Sequence, residues 1–187
     1  RLVSDWSSDV CSSDLISGAS SAAAFTASLP MMFGAHIFTV GGVSGSSAYT
    51  FSGHNADGTD ASDPHLYLIA GHTYVFYLAY NGSSHPFAIR TGGGDGTGIS
   101  GTLAAGTNLT SSNGGNNLIH ISTNGTVTTG TSANAQSSGW LIWKVPHFTA
   151  NQKASVGDYH YQCTQHAAMF GQLNIMSIEA SGGGFGA

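Results

Sequence analysis

One stretch constrains the fold of this chain more than any other: Asp158-Tyr-His-Tyr-Gln-Cys-Thr-Gln-His-Ala-Ala-Met-Phe-Gly171. It places the thiol of Cys163, the imidazole of His166 and the thioether of Met169 within seven residues, as three ligands of one metal would be placed. Ahead of the cysteine the residues alternate. Tyr159, Tyr161 and Cys163 fall on one face and His160 and Gln162 on the other, which predicts a strand ending at Cys163. A loop then carries His166 and Met169, and another strand leaves after it.

The combination of side chains selects the metal. A soft thiolate with two imidazoles and a weak axial thioether is a blue-copper ligand set, able to hold both Cu(I) and Cu(II). Zinc also accepts cysteine and histidine, but methionine is not among its usual ligands. The second imidazole must come from elsewhere, and the best candidate is His85 in Ser83-Ser-His-Pro-Phe-Ala-Ile-Arg90. There His85, Phe87 and Ile89 share one face of a short strand that follows the turn-like Asn81-Gly82. A histidine at one strand start and a cysteine at another strand end can meet at one pole of a β-sandwich. Taken singly, Cys163 reads as a buried cysteine, His166 as a capping or core histidine and Met169 as a gap-filler. Their joint spacing with His85 argues for metal. The other seven histidines are substitutes for His85: His72, His120 and His160 lie within strand patterns, and His36, His54, His65 and His147 at strand edges or turns. They read as plain surface or core residues.

The pattern His-Pro-Phe, a long interval, then Tyr-x-Tyr-x-Cys-x-x-His-x-x-Met-x-Gly resembles the cupredoxins, the family of small blue (type 1) copper domains. The Cys-x-x-His-x-x-Met spacing is similar to the short ligand loop of amicyanin-like members. The resemblance spans residues 48–178, through the two ligand stretches and the strand pattern between them. It implies an all-β, Greek-key β-sandwich and one type 1 copper per chain. By the same resemblance His85, Cys163 and His166 are equatorial ligands, Met169 is axial, and the function is one-electron transfer rather than catalysis. His166 would lie near the surface as the electron's exit, with Ala167, Ala168 and Phe170 forming an apolar collar where a redox protein docks. Many family members carry an asparagine after the first histidine that ties the ligand loops together; here that residue is Pro86, which has no N–H. The expected location is extracytoplasmic, periplasmic or secreted, or on a virion.

The rest of the chain agrees with a β-sandwich. At 187 residues and 41% hydrophobic content it is long and apolar enough for one domain with a substantial core. Only 7% of residues are charged while Gly, Ser, Thr and Asn abound, which suits strands joined by polar loops better than helices. Strands are predicted at 36–40, 48–51, 65–69, 73–80, 86–90, 118–122, 140–145, 159–163 and 173–178. Of these, 73–80 is apolar on both faces and is the expected central strand. Residues 91–139 are dominated by Gly, Thr, Ser and Asn and read as a long insertion, with a hairpin of 118–122 and 126–129 inside it. That insertion reads as a variable, solvated elaboration or as a recognition element.

The two ends read differently. Residues 1–15 contain a five-residue repeat, Trp6-Ser-Ser-Asp-Val10 and Cys11-Ser-Ser-Asp-Leu15, that resembles translated sequencing-adaptor DNA, and are set aside as a non-native tail. Residues 16–35 are small and apolar, as in the remnant of a signal peptide; 36–178 form the domain, and 179–187 a Gly-rich tail. Setting 1–15 aside leaves three basic and six acidic residues, a net of −3 in place of −5, and Cys163 as the sole thiol. A basic patch for nucleic acid and a membrane span of eighteen apolar residues are both missing from the sequence. Multicopper enzymes of related fold need His-x-His pairs, and a dinuclear copper site needs two loop cysteines; neither occurs. A Cys163 nucleophile with His85 as base lacks a recognisable third group. Two further readings stand beside electron transfer: a cupredoxin-like binding or structural module of a cell surface or virion in which copper is absent or incidental, and copper storage or delivery. Metal retention and redox cycling discriminate among them.

Overall fold

The computed structural model describes residues 35–44, 48–53, 61–80, 84–92, 106–147 and 159–176. In chain order the strands are β1 His36–Ser44, β2 Ala48–Gly53, β3 Ala61–Ser62, β4 Leu66–Ile69, β5 Thr73–Leu78, β6 Phe87–Thr91, β7 Thr107–Asn108, β8 Leu118–Ile121, β9 Val127–Thr129, β10 Gly139–Lys144, β11 Tyr159–Cys163 and β12 Phe170–Met176. Short 3-10 turns sit at Ser111–Asn113, Gly115–Asn117 and Gly130–Ala133. No helix among the described residues is long and apolar enough to cross a membrane. The expected tail segments, the turn at 81–82, His54 and residues 177–178 of the last expected strand lie outside the described residues.

The strands form two mixed sheets, ordered β3-β2-β1-β5-β10-β8-β9 and β4-β12-β11-β6-β7. The chain crosses between them repeatedly, so consecutive strands such as β1 and β2 alternate with long-range pairs such as β1 with β5, β6 with β11 and β4 with β12, and the Greek-key β-sandwich expected from the sequence is the architecture found. Alternation sends Phe38, Val40, Tyr49, Phe51, Phe76, Leu141 and Trp143 of the first sheet inward against Leu66, Leu68, Phe87, Ile89, Tyr161 and Leu173 of the second. Its centre is aromatic: Tyr161 stacks on Phe87 at 5.3 Å and meets Phe51 at 5.0 Å, and Phe87 meets Phe76 at 5.2 Å. Such pairs contribute about 0.5–1.5 kcal/mol each beyond the apolar area they bury. This aromatic layer is the floor on which the strand ends of the site rest.

β5 is the fourth of seven strands, flanked by β1 in parallel and β10 antiparallel. Tyr74, Phe76 and Leu78 join the inner core while Val75 packs on the opposite face with Trp140 and Ile142, so the strand is apolar on both sides, as its sequence predicts. The 118–129 hairpin is present as β8 and β9. Within the expected insertion, β8 pairs with β10 and extends the larger sheet, and β7 pairs with β6 at an edge of the smaller one. β6 begins at Phe87 rather than Pro86, since a prolyl nitrogen has no hydrogen for the ladder.

β12 starts earlier than expected, at Phe170, pairing with Gln162 directly after the loop of residues 164–169. Gly171 makes this possible. A Cβ there would lie 2.1 Å from the Tyr161 hydroxyl, which donates to the Pro64 carbonyl at 2.8 Å and so cannot move away freely. Gly171→Ala is expected to lower the stability of the metal-free protein by about 1–3 kcal/mol through overpacking, read as a shift in the urea unfolding midpoint.

Candidate metal centre

β11 ends at the pole of the sandwich with Cys163, whose register partner on β6 is Phe87. The Thr164 N–H donates to the Pro86 carbonyl at 3.1 Å, extending the ladder one step beyond both strands. That step sets His85 beside the start of the ligand loop. The loop folds back on itself: Met169 N–H donates to the His166 carbonyl at 3.1 Å, and Cys163 N–H to the Met169 carbonyl at 2.9 Å. Six residues therefore leave β11 and return to the sheet as β12 with their ends hydrogen-bonded.

The first histidine is held by its own carbonyl. Tyr49 and Tyr80 both donate their hydroxyls to the His85 oxygen, at 3.0 and 2.7 Å. Burial pushes both phenols well up from their ordinary range, so each stays neutral and keeps its proton to donate. The Tyr49 ring is fully buried and packs edge-on against Phe87 at 5.2 Å. It couples His85 to the aromatic floor.

The result is a convergent donor set. Cys163 Sγ lies 3.4 Å from His166 Nδ1 and 4.0 Å from His85 Nδ1, and the three donor atoms lie within 4.8 Å of one another. The imidazole centroids are 4.7 Å apart at 33°. Ions bound at 2.0–2.3 Å by nitrogen and sulfur in a trigonal plane need donors about 3.7 Å apart, and the two sulfur–nitrogen distances bracket that value. The Gln165 N–H also points at Sγ, at 3.4 Å. Cys163 is 1% exposed and Met169 fully buried in the same core cluster, while both histidines are half-buried. A soft His-Cys-His set, in a loop whose Met169 is buried and bonded through its backbone to Cys163 and His166, fits copper better than zinc.

The structure thus brings His85, Cys163 and His166 together, and Met169 closes their loop through its backbone. No other such group of three occurs among the described residues. His120 instead bonds the Ser138 carbonyl at 2.8 Å and burial pulls its pKa down; His160 faces Gln162 on the other side of β11. Ala167 and Ala168 are exposed beside the half-buried His166 and Phe170. The tyrosine clamp on His85 was not foreseen. Its only sequence signal is Tyr49, inward-facing by alternation with Phe51 and so in need of a hydroxyl partner.

Asp63 was not foreseen either. It adopts φ 45°, accepts the Tyr49 N–H at 2.9 Å and also receives the Phe170 N–H, joining β2 to the residue after Met169. Burial outweighs these bonds and raises its carboxyl to about 7. An unfolded aspartate titrates near 3.9, so the unfolded chain loses this proton first as pH rises. The Asp63 contribution to stability is therefore present below about pH 4 and is lost as pH rises through about 7. Unfolding midpoints of the metal-free protein from pH 4 to 8 are expected to fall less steeply in Asp63→Asn than in the wild type.

Among solved structures the chain is similar to a rusticyanin variant, with 19% identity over 76% of each chain and a TM-score of 0.33. It is similar to a reduced amicyanin variant, 14% identical over 76% of this chain and 83% of that one with a TM-score of 0.30, and to auracyanin B, 18% identical over 76% and 88% with a TM-score of 0.33. All three are cupredoxins, and rusticyanin is described as a copper protein. No family model and no curated protein matches the chain.

Proposed function

We propose that this chain binds one type 1 copper ion through His85, Cys163, His166 and Met169 and works as a one-electron carrier. The observation that carries this is the convergence of His85, Cys163 and His166, one donor atom of each within 4.8 Å of the others, with His85 and Cys163 78 residues apart in sequence. Copper held there would alternate between Cu(I) and Cu(II), accepting and releasing a single electron.

The protein's part is to keep the donors still. Fast electron exchange requires ligand positions that change little between oxidation states, and each donor here is anchored from behind. Cys163 ends a strand paired on both sides, by β6 and β12. His85 is fixed at its carbonyl by two phenols, and His166 sits in a loop whose ends are hydrogen-bonded together. The Gln165 N–H withdraws charge from the thiolate, which favours the reduced metal. His166 is the ligand nearest a small neutral rim, Ala167 and Ala168, with Phe170 behind it. Such a rim suits brief apolar contact with a redox protein, and His166 is the route by which the electron leaves. Charged residues are rare, so docking here depends little on salt.

Titration of reduced, metal-free protein with Cu(II) is expected to saturate at one equivalent, giving an intense thiolate-to-copper absorption band and a narrow electron paramagnetic resonance hyperfine splitting. Cys163→Ser should abolish both. Met169→Leu should retain the band and raise the reduction potential, because losing a thioether donor destabilises Cu(II) more than Cu(I). A wild-type protein that stays colourless, or a copper signal that survives in Cys163→Ser, would sink the assignment.

A further inference from the structure

Gln162 precedes Cys163 on β11 and points to the opposite face of the sheet. An outward glutamine in a sandwich strand ordinarily meets water, yet this one is fully buried. Its Oε1 accepts from Arg90 Nη1 at 2.9 Å and from the Gly106 N–H at 3.2 Å, with His160 Nε2 at 3.4 Å. Its Nε2 donates to the Ala167 carbonyl at 2.8 Å. Guanidinium and backbone N–H groups only donate and a carbonyl only accepts, so the amide has one orientation that satisfies all of them.

Arg90 is held in turn. It is the register partner of His160 on β6, and its Nε donates to Asn108 Oδ1 at 2.9 Å. The His160 ring lies over Gly106, where a Cβ would come within 2.5 Å of it, so this glycine lets the network close. Ala167 directly follows His166. The ligand loop is therefore gripped twice: by backbone bonds to Cys163 and Pro86, and from the outer face by one buried side chain.

We propose, resting on the copper assignment above, that Gln162 is a positioning residue for the metal centre: it holds the Ala167 carbonyl so that His166 keeps its place, and Arg90 aims it. Hydrogen bonds behind a ligand fix its orientation and change metal affinity when removed.

The test uses the full chain loaded with Cu(II), comparing wild type with Gln162→Leu, Gln162→Glu and Arg90→Met. The rate of copper loss to excess chelator and the hyperfine splitting are measured, with melting of the metal-free proteins alongside. Both Gln162 variants should lose copper about 10-fold faster and show a wider splitting. Gln162→Glu keeps the shape and the acceptors for Arg90 and Gly106 but replaces the donor to Ala167 by a charged oxygen, whereas Gln162→Leu removes the polar atoms without adding charge, so a defect common to both tracks the loss of the bond to Ala167. Arg90→Met should act in the same direction, more weakly. Copper loss and splitting equal to wild type in the folded Gln162 variants would overturn the proposal. If both fail to fold, Arg90→Met decides it by the same two readouts. A wild-type chain without a type 1 signal overturns the copper assignment and this proposal together, whereas a wild-type signal that the variants leave untouched overturns this proposal alone.

Discussion

The structure depends on the antiparallel pairing of β11 with β6. It puts Cys163 opposite Phe87 and continues one step further, where the Thr164 N–H meets the Pro86 carbonyl. A slip of one residue would turn Cys163 to the outer face and Gln162 into the aromatic core, since side chains alternate along a strand. Both errors are expensive, for the outer face here is a polar network and the inner one is Phe87, Phe51 and Phe76. Register is therefore fixed by burial alone.

What burial fixes at the strand, hydroxyls and carbonyls fix at the loops. The fold supplies two kinds of restraint around the donors: apolar packing beneath them and short polar ties behind them. The first is non-directional and sets the approximate position of each strand end. The second is directional and sets which way a ring or a carbonyl faces. Tyr49 belongs to both classes, with its ring against Phe87 and its hydroxyl on His85. Asp63 ties the backbone of that same tyrosine to the strand that follows Met169.

The grouping of His85, Cys163 and His166 was legible in the sequence because most of its signal is local. Cysteine, histidine and methionine at close spacing, after a strand of alternating tyrosines, need no knowledge of distant residues, and the His-Pro-Phe stretch repeats the same periodicity. The central position of β5 was legible for a similar reason, since both of its faces are apolar. β3 and β7 were not, because two-residue strands such as Ala61–Ser62 and Thr107–Asn108 are defined by the edge they join rather than by a pattern of their own. The ties on His85 and Ala167 escaped as well. Tyr80 reads only as a strand end and Gln162 only as a residue on the face opposite Cys163, and each acquires its role from a partner that only the folded chain brings near. The early start of β12 was hidden in Gly171, whose missing side chain matters only once Tyr161 lies across it.

Pro86 shows one consequence of how the ligand stretches are joined. The tie between them runs from main chain to main chain, from Thr164 nitrogen to Pro86 oxygen, and involves no side-chain atom of either residue. Drift at position 86 leaves that bond in place as long as the backbone path is kept, and drift at 164 does so for every residue except proline. A chain built this way is free to vary positions 86 and 164 while His85, Cys163 and His166 stay together, so divergence there says little about whether that cluster has been kept.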